Sequence, residues 1–345
     1  MIPEIHPWDG PRVVAIGGGT GLSTMLRGLK LYTKHITAIV TVADDGGGSG
    51  MLRQDLGMPP PGDIRNCLTA LADAEPLMQK LMNYRFQDGS LSGQSFGNLF
   101  LAALNGIAPT FDQAVSLMGN VLAITGQVLP VTNANVNLVA EFANGTSVMG
   151  ESQICSFKKL QKCRIDRVRL IPEHSKALPA AIDAIRQAEV ILLGPGSLYT
   201  SIIPNLLVDG IADAILANDS ALRIYVANIM TQEGETEGYS VADHLAAIFY
   251  HSKPGLVDVS LANTGTIPES TQQRYRTQHA EPTILSRHGV ATLGVELVTR
   301  DLTSADCPKK ARHDPLKLAM AIQELVQQRC VRTWQHGELR YVLER

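Results

Sequence analysis

The stretch RVVAIGGGTGLSTMLRGLKLYTKHITAIVTVADDGGGSG, Arg12 to Gly50, decides the fold class. It opens on a short apolar run, Arg12–Ile16, that stops at glycines, and Leu22, Met25, Leu26 and Leu29 then recur at helical spacing. Ile36 to Ala43 is a second run rich in β-branched residues, closed by Asp44, Asp45 and more glycine. Two apolar runs joined through a helix predict parallel strands, because a helical crossover brings the chain back in the same direction, with right-handed connection.

Working outward, residues 1–11 carry three prolines, Trp8 and Gly10 and read as an irregular arm. Residues 62–123 lack strand signals and show apolar residues at helical spacing, predicting a helical insertion. From Gln127 to Ile154 alternation returns around Asn144-Gly145, a hairpin turn, which predicts a short antiparallel element. The runs Val190–Leu193, Leu222–Val226 and Val257–Leu261 alternate with helical patterns and extend the βαβ logic. Asp314 to Gln328 predicts an amphipathic helix with Asp314 as N-cap and Pro315 in its first turn. The expectation is an α/β protein of three layers with a mostly parallel sheet: one domain over 12–328, flanked by the arm and by an unassigned tail over 329–345.

The 345 residues are 45% hydrophobic and 18% charged, a composition that supports a sizeable core. Thirty basic against 33 acidic residues give a net charge of −3, so no global field attracts a polyanion, and nucleic acid is not an expected partner. The basic cluster Lys158, Lys159, Lys162, Arg164, Arg167 and Arg169 has no interleaved aromatic residue and reads as a solvated strand or loop. Five cysteines without a C-x-x-C pair fit a reducing compartment. The N-terminus lacks a signal-peptide pattern and no apolar run approaches the roughly 18 residues that span a bilayer, so the expected place is the cytoplasm, with no membrane span.

Four polar turns follow predicted strands. Gly17-Gly18-Gly19-Thr20-Gly21 lies between strand and helix, where unpaired N–H groups and the helix dipole favour an anion, and Gly18, Gly19, Thr20 and Gly21 are candidate phosphate contacts. The alternative is a tight turn required only for packing. A dinucleotide fingerprint fails because its third glycine would fall on Leu22, and the lysine of a P-loop is absent. Asp44 and Asp45 end the second strand, where two carboxylates meet a cation, a sugar hydroxyl or N–H donors, or simply cap the loop and face water. Asp63, in PPPGDIRN, is either an N-cap or a metal carboxylate. Asn98, after Gly93-Gln94-Ser95, opens another helix. Gly194, Gly196, Ser197 and Tyr199, in GPGSLYTS, follow a buried strand and suit a phosphate or diphosphate, and Asn228 reaches the same sheet edge. Tyr275 offers a face for a ring and Arg312 a planar fork for a diphosphate, with core packing and surface pairing as the alternatives. No nucleophile elbow, H-E-x-x-H or Cys–His set appears, so hydrolase chemistry is not indicated.

These motifs, with YVANIMTQEGETEGYSVAD at 225–243, Asn263–Pro268 and His313–Ile322, make residues 12–328 resemble the gluconeogenesis-factor proteins, bacterial relatives of the 2-phospho-L-lactate transferase CofD, which transfers a phospholactyl group to a deazaflavin. The resemblance implies a Rossmann-like fold, a bound UDP-sugar or related nucleotide, and a regulatory role in cell shape and wall synthesis during gluconeogenic growth, exerted through a protein partner. It also implies that Asp45 and Asp63 lie near the transferase metal, which would be Mg²⁺, and that Gly194–Ser201 is a phosphate-binding turn. Gln94 departs from a family G-H-S pattern, and an amide cannot titrate as an acid or base. Asn133-Ala134-Asn135-Val136-Asn137 departs from T-D-N-V-x-L. The expected function is a nucleotide-sugar regulator, with a Mg²⁺-dependent transferase of a nucleoside-diphosphate-linked donor as the alternative; a homo-oligomer is compatible with either.

Overall fold

A computed structural model describes residues 10–73, 76–304, 310–335 and 338–344. Residues 1–9 of the expected arm, and Cys307, lie outside the described residues. Twelve strands occur among the described residues: β1 Val13–Gly17, β2 Ile36–Val40, β3 Gln127–Pro130, β4 Asn137–Phe142, β5 Ser147–Met149, β6 Ile165–Ile171, β7 Val190–Leu193, β8 Leu222–Val226, β9 Val259–Asn263, β10 Glu296–Arg300, β11 Cys330–Gln335 and β12 Glu338–Leu343. Seven of them form one sheet in the order β10-β9-β8-β7-β1-β2-β3. Every neighbouring pair in it is parallel.

Parallel sheets need cover on both faces, and the central strands show it: every residue of β1, β2, β7 and β8 is buried. Helix Gly19–Leu29 covers one face with Leu22, Met25, Leu26 and Leu29, the four residues whose spacing announced it. Its neighbour is helix Pro315–Arg329, which Asp314 caps by accepting from the N–H groups of Leu316 and Lys317. The contact is backbone-close at Gly28, where a Cβ would fall 1.9 Å from the Pro315 carbonyl oxygen.

The antiparallel expectation for Gln127–Ile154 holds only in part. Asn144-Gly145 does turn β4 into β5, and β6 completes a three-stranded antiparallel sheet on the other side of β4. Gln127–Pro130, however, pairs parallel with β2 and ends the main sheet. Pro130 is tolerated because an edge strand needs no second ladder of donors. The basic cluster, expected as a solvated strand or loop, instead places Lys158 and Lys159 on helix Glu151–Gln161 and Arg167 and Arg169 on β6, with Lys162 and Arg164 in the link between them; Ile165, Val168 and Leu170 of β6 are buried. Its charges meet acids: Lys158 with Glu237, Lys159 with Glu233 at 3.2 Å, and Arg169 with Glu141 at 3.2 Å. The glycine run after Asp45 is also more than a loop, since Gly47–Leu56 is helical. The tail forms the β11–β12 hairpin, with Tyr341 buried and its N–H donating to Glu189. No helix among the described residues is long and apolar enough to cross a membrane.

Candidate functional site

The chain leaves β1 toward β2 and β3 on one side, whereas β7, β8, β9 and β10 lie on the other. The boundary between β1 and β7 is therefore a switch point, where the loops leaving adjacent strand ends diverge and open a crevice. That crevice is a cleft of about 380 Å³. It joins the turns after β1, β7 and β8 with Tyr275 and the segment 310–313.

The two glycine turns meet backbone to backbone. A Cβ on Gly21 would lie 2.5 Å from the Pro195 carbonyl oxygen, and one on Gly196 would lie 3.2 Å from that of Gly18. Asn228 clamps the second turn, accepting from Gly196 N at 3.2 Å and donating to Gly196 O at 2.8 Å. Asn205 ties both turns together from below, donating to Gly17 O at 3.0 Å and Ser201 O at 2.7 Å. Gly19 has φ +68°, a left-handed conformation that an L side chain enters at a cost of roughly 1–2 kcal/mol. The N–H groups of Thr20 and Gly21 belong to the first helical turn, have no carbonyl partner within the helix, and line the cleft. Opposite the turns, Lys310 and Arg312 are exposed at the cleft mouth. Ile229, Met230 and Ile267 form a small apolar cluster against which Tyr275 and Ala311 pack. The cleft thus carries first-turn N–H donors, the two cations Lys310 and Arg312 and, between those cations, Ala311 on the apolar cluster that also supports Tyr275.

Of the residues singled out in the sequence, Gly18, Gly19, Thr20, Gly21, Gly196, Ser197, Asn228, Tyr275 and Arg312 line this one cleft. Tyr275 both packs on the apolar cluster and faces the cleft, so its two readings coexist. Tyr199 is elsewhere: it is buried, with its hydroxyl 2.9 Å from that of Tyr239 and its N–H on Glu235. Asn98 is also buried away from the cleft, its Oδ1 accepting from Arg65 Nε at 3.0 Å. Gly194 supports the turn from behind with φ +78°. Sequence reasoning did not single out Gln232, Lys310 or His313 as cleft residues. Gln232 and His313 lay within stretches that carried the resemblance, and that was the available signal. Burial pushes the His313 imidazole down to about 4, against a ring N–H bond to the Ala227 carbonyl, so it is neutral near pH 7.

Behind Gly18 lies a second neighbourhood, of carboxyls. A Cβ on Gly18 would come 2.5 Å from Asp63 Oδ2, so glycine is required there by the approach of a carboxylate. Asp63 accepts from the Gly19 N–H rather than capping its own helix, whose N-cap position is Pro61. Burial, then the charge of Asp44, raise Asp63 to about 6. Burial also raises Asp44, which accepts from Gly46 N at 2.8 Å. Glu151 is lifted to about 9 by burial and then by Asp44, Glu235 and Asp63. The carboxylate facing Asp63 is Asp44; Asp45 turns toward Ser152, accepting from its N and Oγ at 2.9 Å each. Beside them Gln94 Oε1 is buried without a partner, and a Cβ on Gly48 would lie 2.8 Å from it. These are hard oxygen donors. Among the described residues no three acidic, His or Cys side chains cluster as a ready-made metal site. Mg²⁺, however, takes only one or two carboxylates and completes its shell with water and ligand phosphate, and Asp44 and Asp63 fit that use.

A family model described as 2-phospho-L-lactate transferase CofD matches residues 13–303. The gluconeogenesis factor of Bacillus subtilis is 46% identical over 319 residues, covering 92% of this chain and 99% of that protein. That of Halalkalibacterium halodurans is 47% identical over 313 residues, covering 90% and 95%. A crystal structure of a member of the UPF0052 family from Bacillus halodurans superposes with a TM-score of 0.87 at 45% identity, covering 92% of this chain and 100% of that one.

Proposed function

The chain belongs to the CofD family, among its gluconeogenesis-factor proteins, and we propose that it binds a nucleoside diphosphate joined to a sugar, a UDP-sugar, in the switch-point cleft. The observation that carries this reading is the lining of one cleft by first-turn N–H groups, by the cations Lys310 and Arg312, and by Tyr275 on an apolar shelf. A diphosphate satisfies the N–H groups and the cations, and a ring covers the shelf. Arg312 meets the diphosphate with two parallel N–H donors and Tyr275 covers one ring face. In this reading the loaded protein works in the cytoplasm as a regulator, engaging a protein partner in wall synthesis and so affecting cell shape during gluconeogenic growth.

Calorimetric titration with UDP-N-acetylglucosamine tests it. The parent protein should bind, and Arg312→Ala and Tyr275→Ala should each weaken binding by roughly 1–3 kcal/mol, the worth of a charge-assisted bond or a stacked ring. Binding of inorganic diphosphate should suffer less from Tyr275→Ala. No binding by the parent, or both variants matching it, would sink the reading.

A second reading rests on the carboxyls behind Gly18. Asp44 and Asp63, with Asp45 one residue away, would hold Mg²⁺ beside the ligand phosphates, and the ion would supply charge neutralisation to a leaving diphosphate or phosphate. The chain's own residues would bind and orient the donor, the N–H groups of Thr20 and Gly21 holding its phosphates. Mg²⁺-dependent turnover of a nucleoside-diphosphate-linked donor that Asp63→Asn abolishes separates a transferase from a regulator.

A further inference from the structure

Ser197, whose hydroxyl the sequence offers as a phosphate contact, is already committed in the structure. Its Oγ donates to Gln232 Oε1 at 2.8 Å, and Gln232 Nε2 donates to Glu235 Oε1 at 3.3 Å. Ser197 and Gln232 both line the cleft, whereas Glu235 is fully buried behind them. The orientation of the Gln232 amide follows from the ionised state of Glu235. Glu235 also accepts from Tyr199 N at 3.2 Å and Thr200 Oγ1 at 2.9 Å, and the Cys155 thiol points at it from 3.9 Å. An ionised carboxylate surrounded by donors is an acceptor only. Gln232 must therefore present its NH₂ group to Glu235, which leaves its carbonyl oxygen for Ser197. The Ser197 proton follows that oxygen and turns away from the cleft. What Ser197 shows the cleft is lone pairs.

We propose that Glu235, acting through Gln232, sets Ser197 as a hydrogen-bond acceptor, so that the ligand group seated at Ser197 is a sugar hydroxyl or an amide N–H rather than a phosphate oxygen. This rests on the UDP-sugar reading of the cleft and deepens it. The phosphates are left to the first-turn N–H groups and to Arg312, and the sugar is read at Ser197. Glu235 is a positioning residue, since it touches no ligand. Protonation of Glu235 would reverse the chain, because a carboxylic O–H donating to Gln232 Oε1 turns the amide and lets Ser197 donate into the cleft. Burial places that protonation near neutrality, at about 7. The charged and titratable groups against Glu235 are Lys158, Cys155 and Glu151, with Tyr199 and Thr200 as hydrogen-bonding neighbours.

The test compares UDP-N-acetylglucosamine with inorganic diphosphate, the latter by displacement, on the parent, Ser197→Ala and Glu235→Gln. Ser197→Ala should lower affinity for the UDP-sugar about tenfold, because a ligand donor loses its acceptor, and for diphosphate less than about twofold. Glutamine at 235 with its oxygen toward the Tyr199 N–H places its NH₂ where Oε1 faces both Thr200 and Gln232, so that the Thr200 hydroxyl turns to accept and Gln232 presents its oxygen, imposing the reversed chain. It should weaken the UDP-sugar and tighten diphosphate. The ratio of the two affinities in the parent, divided by that in Glu235→Gln at the same pH so that the diphosphate's own titration cancels, should fall as pH drops from about 8 to about 6. Equal losses for both ligands in Ser197→Ala overturn the proposal and return Ser197 to the phosphate. A parent that binds neither ligand, or a diphosphate that fails to displace the UDP-sugar, overturns the reading of the cleft itself. If Glu235→Gln does not fold, the Ser197→Ala comparison decides alone.

Discussion

Replacing Asp63 by asparagine should make the ligand-free protein more stable, although the carboxylate sits at the centre of the proposed metal neighbourhood. Asp63 is raised from 3.8 to about 6, by burial first and the charge of Asp44 second. A carboxyl whose folded value lies above its unfolded value binds protons more tightly when folded, so its ionisation weakens the fold. The penalty is absent below about pH 4, grows as pH rises, and is complete above about pH 6. A rise from 3.8 to about 6 corresponds to a cost of about 3 kcal/mol. Asparagine retains an oxygen to accept the Gly19 N–H and turns an amide donor toward Asp44 in place of a like charge. Asp63→Asn should therefore gain about 1–3 kcal/mol over the parent at about pH 8, and nothing at about pH 3.5. Urea unfolding across this range, in the presence of a chelator, measures the difference directly. Adding Mg²⁺ should then stabilise the parent and not the variant, because an ion bound only to the folded state adds to its stability. Parallel stability curves for the two proteins from pH 4 to 8 would refute the reasoning, since they would mean that Asp63 ionises as freely folded as unfolded.

Two further outcomes follow from backbone approaches. Gly19→Ala places its Cβ in open space, nearest Ser201 Oγ at 3.9 Å, but at φ +68° it should cost roughly 1–2 kcal/mol of stability and shift the first-turn N–H groups; calorimetry should show UDP-sugar affinity down at least about tenfold, and unchanged affinity in a folded variant would make the turn a packing device only. Gly28→Ala drives a Cβ to within 1.9 Å of the Pro315 carbonyl and should destabilise the fold by more than about 2 kcal/mol without touching the cleft, so thermal unfolding should move while affinity of the surviving folded protein does not.

Periodicity was enough for the first βαβ unit, because the core-facing residues of helix Gly19–Leu29 and the fully buried strands on either side are written at fixed spacings. Capping chemistry was likewise enough for the helix after Asp314, and Asn144-Gly145 for the β4–β5 hairpin. The placement of glycine turns after strands was legible too, and with it most of the cleft. Partners distant in the chain were not. Nothing local in Gln127–Pro130 says whether it pairs parallel or antiparallel; the edge left open by β2 decides that. Tyr199 and Asn98 carry functional-looking side chains that tertiary packing turned inward, onto Tyr239 and Arg65. The family resemblance pointed to Asp45 beside Asp63, whereas the fold turned Asp44 to Asp63 and Asp45 to Ser152. The switch point exists only because β7 pairs with β1 on the side away from β2, a choice made 173 residues after the first strand ends, from Gly17 to Val190. The sequence alone determined the first βαβ unit, the Asn144-Gly145 hairpin and the capped helix after Asp314, since those depend on neighbours within a few residues. The tertiary structure decided which turns share a cleft and which way each side chain faces, since those depend on contacts between residues far apart in the chain.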